Sequence, residues 1–221
     1  MQHIMDSTRT AVKKIFGAMN ELLDDPDCLF CGGVCYRDPV DCSEDVHSAL
    51  EIGPFDAWNI RMQGEKAYGG GDFAEDIAGG LRCLTEVLER FVETHRHLEG
   101  LNIVLIHATD ATAHGHSYGM QDRHNNDEQR TRFDDAYDGF LRLVRSKAAF
   151  FDLQYLNCNT SNSGALEQLF ARMTLGFERI FDGPTAGRMT RIDPELALAG
   201  DVTIDSCVSS LRPDTARSLM E

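Results

Sequence analysis

The stretch Leu101-Asn102-Ile103-Val104-Leu105-Ile106-His107-Ala108-Thr109-Asp110 decides how this chain is read. Its first six residues are apolar apart from Asn102, without the alternation that a half-exposed strand shows. Such a run predicts a strand buried on both faces, as parallel strands under helices are. It passes directly into a polar string ending at Asp110, which places a carboxylate at the strand's carboxyl end. Downstream, Phe133, Tyr137, Phe140, Leu141 and Val144 recur at three and four residues and predict a helix over 132–146. A second apolar run over 150–156 predicts another strand. Ser161-Asn162-Ser163 then caps a helix carrying Leu166, Leu169, Phe170, Met173 and Phe177.

Upstream, Ile77, Leu81, Leu84, Leu88 and Phe91 predict a helix launched from the loop Gly69-Gly70-Gly71-Asp72-Phe73-Ala74-Glu75-Asp76. Its acids Asp72, Glu75 and Asp76 sit where a helix dipole favours negative charge. Residues 29–36 form a short apolar strand that ends at the turn signal Arg37-Asp38-Pro39. Residues 43–56 give a weaker edge strand, and 2–23 a helix with Ile4, Ala11, Val12, Ile15, Met19 and Leu22 on one side. Val202-Thr203-Ile204 is a last strand candidate.

Helices and apolar strands alternate, which predicts an α/β fold with a doubly wound, mostly parallel sheet. In such sheets ligands gather beyond the carboxyl ends of the strands. Asp38, Asp72 and Asp110 all fall at that end. The polar stretch 111–130, rich in Gly, His, Asn and Asp, predicts a long functional loop there. Residues 1–185 read as one domain and 186–221 as a C-terminal extension.

Composition bounds the function. The 221 residues are 42% apolar and 26% charged, an ordinary globular balance. With 36 acidic against 21 basic residues the formal charge is -15, which argues against a nucleic-acid binder. No apolar run reaches the roughly 20 residues that span a bilayer, and the first residues lack a signal-peptide pattern. Membrane insertion is therefore not expected. Seven cysteines, an odd number, read as reduced thiols of a cytoplasmic protein. Cys28, Cys31, Cys35 and Cys42 contain only one doublet of zinc-ligand spacing, so they read as small buried apolar residues.

Three strings in order resemble the von Willebrand factor A (vWA) domain, in the variety found beside alpha-type protein kinase domains. They are Tyr36-Arg37-Asp38, then Gly69-Gly70-Gly71-Asp72 with Glu75-Asp76 and Gly79-Gly80-Leu81. The third is Ile106-His107-Ala108-Thr109-Asp110-Ala111 followed by His114-Gly115 and Tyr118. The likeness spans roughly residues 1–181. It implies a Rossmann-like doubly wound sheet with a Mg²⁺-dependent adhesion site on top and a protein as partner. Hard Mg²⁺ takes oxygen ligands and keeps a position for a partner's carboxylate. By this likeness Asp110 and Asp72 are the metal ligands, with Asp38 and His114 as weaker candidates at the rim. The family's first strand and its Asp-x-Ser-x-Ser motif would lie upstream of residue 1. The resemblance thus implies an incomplete site, weak Mg²⁺ binding at most, no catalysis, and neighbouring strands with unpaired edges.

An enzyme alternative rests on residue types alone. His107, His114, His116 and His124 with Asp110 could hold a transition metal that activates water for a hydrolase. No helical zinc-protease pair, nucleophile elbow or phosphate-binding loop accompanies them.

Overall fold

Backbone hydrogen bonding sorts the strands of the computed structural model into three small sheets. The residues described are 28–38, 46–66, 73–98, 100–159, 161, 163–182 and 186–192, with single helical positions between 6 and 21. Their elements run β1 (Cys31–Tyr36), β2 (His47–Gly53), α1 (Phe55–Gly64), β3 (Ala74–Glu75), α2 (Ile77–Thr94), β4 (Leu101–Thr109), β5 (Thr112–Ala113), α3 (Asp127–Lys147), β6 (Ala148–Asn157), α4 (Ser163–Ile180) and β7 (Gly187–Ile192). The parallel sheet has the order β4-β6-β7, β3 and β5 form a parallel pair, and β1 and β2 an antiparallel hairpin. The chain is mixed α/β, with parallel pairing in two of its three sheets. Asp72, Gly69 to Gly71 and Val202 to Ile204 lie outside the described residues.

The core forms where three amphipathic helices meet β6. Ile77, Leu81 and Leu88 of α2, Phe133, Tyr137, Phe140 and Leu141 of α3, and Leu169, Met173 and Phe177 of α4 join Phe151, Leu153 and Tyr155 in one buried cluster. Phe151 stacks on Phe177 at 5.9 Å and meets Phe140 edge-on at 6.2 Å. Each large side chain buried this way is worth about 1.5–3 kcal/mol. The alternate residues of β6 carry a polar pair instead. Asp152 Oδ2 accepts from Arg188 Nη2 at 2.8 Å, its register partner on β7. A smaller cluster of Leu50, Trp58 and Met62 joins the hairpin to α1.

Four expectations need correction. Residues 101–106 are not buried on both faces; each is only partly buried, because β4 pairs with β6 alone among the described residues. β6 is the buried central strand. Residues 29–36 and 101–106 were expected as neighbours in one sheet, after a gap, and they fall in different sheets. The 111–130 stretch is no extended loop: it opens with β5, buries His114 to Ser117, and yields to a helix starting at Asp127 rather than 132. The loop before α2 contains β3, and α2 starts only at Ile77. Two elements carried no readable signal. α1 has almost no apolar face, and β7 lies at 187–192, inside the segment set apart as an extension.

Candidate functional site

The carboxyl ends of β1, β4 and β5 bring the candidate residues to one region. After β1 the chain passes through Arg37, whose Nη2 donates to Glu65 Oε2 at 2.9 Å and to the Lys66 carbonyl at 3.2 Å. The next residue, Asp38, is 1% exposed. β4 ends in a tight turn: Thr109 Oγ1 donates to the Ala111 carbonyl at 2.7 Å and accepts from the Ala111 amide at 3.2 Å. That turn throws the chain into β5, which pairs in parallel with β3 through Ala74–Thr112 and Glu75–Ala113. His114 follows at once.

His114 is the junction of this region. Its Nδ1 lies 2.9 Å from Asp122 Oδ1, and its Nε2 lies 3.5 Å from Asp38 Oδ2. A buried imidazole thus stands between two carboxylates from different parts of the chain. The Asp122 carboxylate also accepts the Gly115 amide at 2.8 Å and the His124 amide at 2.9 Å. Burial alone would raise the Asp122 pKa, but these three hydrogen bonds together hold it below the ordinary carboxylate value. Gly115 is needed where it stands. Its φ is +78°, and a Cβ there would lie 2.6 Å from the Arg130 backbone nitrogen. Arg130 Nε donates to the Gly115 carbonyl at 2.7 Å, fastening the first turn of α3 to this loop.

The other candidates go elsewhere. Asp110 stands in the β4–β5 turn, partly buried, and that burial raises its carboxyl pKa. Its carbonyl accepts from Asn159 Nδ2 at 3.0 Å. Asp76 does not reach this loop: it is the N-cap of α2, accepting the Gly79 amide at 2.9 Å, with His47 Nε2 at 3.1 Å and Arg132 Nη2 at 3.7 Å. The histidines do not converge. His107 Nε2 meets the Tyr36 hydroxyl at 3.0 Å, and burial pushes its pKa down to about 4, so it is neutral. His116 Nε2 lies 3.7 Å from Asp134 Oδ1, and the His124 ring packs edge-on against His114 at 5.2 Å. Among the described residues no group of three His, Cys, Asp or Glu side chains is placed to hold a metal ion.

Of the predicted site residues, Asp38 and His114 are thus brought together, Asp110 lies one turn away in sequence from His114, and Asp72 is not described. Asp122 was missed. It has no motif spacing to announce it and stands eight residues from its partner in an undifferentiated polar stretch. Tyr36, read only as a strand end, proves to be the ring that touches β4.

No family model matches this chain, and no match is found among curated proteins or solved structures.

Proposed function

We propose that the chain is a non-catalytic protein-binding module of vWA type, docking its partner at the carboxyl ends of β1, β4 and β5. The observation that carries this reading is the meeting of Asp38, from the end of β1, with His114, from the end of β5, at 3.5 Å. Ligand sites of open α/β sheets form where strand ends bring side chains together in this way. The resemblance of the strings around Asp38, Asp110 and His114 to vWA domains points to a protein as the ligand. Mg²⁺ at this end would draw on Asp110 and Asp72, two oxygen donors from the chain, which is too few to hold it tightly. The described residues do not complete a ligand set, so no step of the reading is routed through a metal.

The hydrolase alternative needs His107, His114, His116, His124 and Asp110 to share one ion. Three of these histidines instead have separate partners: Tyr36, Asp122 and Asp134. The experiment compares wild type with Asp110→Ala. Immobilised chain should retain a binding partner that the variant loses, with the melting temperature of the variant unchanged. Neither form should hydrolyse a model ester or phosphodiester above the buffer rate. Metal-dependent turnover lost in Asp110→Ala would sink the binding-module reading.

A further inference from the structure

We infer that residues 201–208 of this chain dock as an added strand between the free edges of β1 and β4. The inference is independent of the function proposed above. Among the described residues β4 pairs only with β6, and β1 only with β2. Each therefore presents one edge of backbone N–H and C=O groups without a strand partner. The edges lie beside one another: the Tyr36 hydroxyl at the end of β1 reaches His107 of β4 at 3.0 Å, ring to ring at 6.0 Å. Side chains, not backbone bonds, close this seam.

The walls of the seam are apolar and incompletely covered. Leu101, Ile103, Val104, Leu105 and Ile106 on β4, and Val34 on β1, are all only partly buried. Apolar parallel strands are normally covered on both sides, and bare edges of this kind invite another strand. An extended segment laid in the seam would bond to both edges at once.

Two facts single out the occupant. Every other strand signal in the sequence, at 29–36, 43–56, 101–106 and 150–156, has its strand in one of the three sheets. Val202-Thr203-Ile204, three β-branched residues after the turn signal Gly200-Asp201, is the signal left over. The second fact is reach. β7 ends at Ile192, ten residues before Val202. In the order β4-β6-β7 the seam lies three strand positions from β7, or about 14 Å at the usual strand spacing. Ten residues span up to about 33–36 Å when extended, enough to cross that distance and turn.

The test is residue-resolved amide exchange by NMR on the full chain, wild type and Val202→Pro/Ile204→Pro. Proline cannot donate to a ladder, so the variant removes the strand without shortening the chain. In wild type, amides 203–207 and the β4 amides pointing away from β6 should be protected. In the variant the latter should exchange about 100-fold faster or more, while those bonded to β6 change little. Unprotected amides at 203–207 in wild type overturn the inference. So does protection of β4 that survives the prolines, which means another segment covers the edge. Protection that rises with protein concentration assigns the seam to a second copy and also overturns it. If the variant fails to fold, nuclear Overhauser contacts between Ile204 and β1 or β4 in wild type decide: their presence supports the docking and their absence refutes it.

Discussion

His107 shows how one residue's environment becomes a property of the whole chain. Burial lowers its pKa to about 4 from an ordinary 6.5, so the unfolded chain binds more protons than the native one between those values. Stability therefore rises as pH climbs from about 4 to 6.5, by roughly 3 kcal/mol from this group. Urea midpoints at pH 4.5 and 7.0 should differ less in His107→Gln than in wild type, since glutamine carries no proton to gain. An equal difference in both forms would show that the group is not held neutral. Asp122 acts in the opposite sense. Its lowered pKa contributes stability above the ordinary carboxylate range, lost as pH falls through it. Asp122→Asn removes the charge that three donors address and should cost about 1–3 kcal/mol. Exchange at the Gly115 and His124 amides should speed up more than at β6 if the loss is local to the loop. A uniform rise across the chain would argue against Asp122 as the organiser of the loop.

At the scale of elements, long periodic segments were legible and short pairings were not. The apolar spacing of Ile77, Leu81, Leu88 and Phe91 announced α2, and that of Phe133, Tyr137, Phe140 and Leu141 announced α3, because a buried helix face repeats over several turns. Two-residue strands such as β3 and β5 have no period to detect; they exist through each other. The N-cap of α2 was misplaced for a related reason: Asp72, Glu75 and Asp76 are chemically equivalent caps, and only the β3–β5 pairing selects Asp76. The Gly79-Gly80 pair now has a packing reason. A Cβ on Gly79 would collide with the carboxylate of Asp76 and the ring of His47, and one on Gly80 would lie 2.9 Å from the Tyr36 ring. Gly79→Ala should therefore destabilise the chain by about 1–3 kcal/mol, despite alanine's better helix propensity. A guanidinium melt checks this; a stabilised variant would mean that α2 does not press on the hairpin as closely as the geometry has it.

Across the whole molecule, alternating pattern predicted α/β with parallel pairing, and that much holds. The single doubly wound sheet does not follow from the pairings, because strand adjacency is a long-range property. The apolar run at 101–106 states that β4 prefers to be covered, not what covers it. The candidate site was half legible for the same reason. Asp38 and His114 were placed at strand ends by pattern, whereas Asp122 joins them through a loop closure that no local rule encodes. The claim that the strand ends form a docking surface with an incomplete metal site is tested most directly by the melting temperature in magnesium, manganese, zinc or chelator. A complete site at 100 times its dissociation constant would add about 2.7 kcal/mol, a shift of roughly 5–10 °C for a chain of this size. At about 5 mM magnesium this chain should shift by less than about 1 °C, because two carboxylates do not offset the ion's hold on its waters. A shift of several degrees with magnesium would contradict the incomplete site, and one with zinc alone would return the weight to the histidines and hydrolysis.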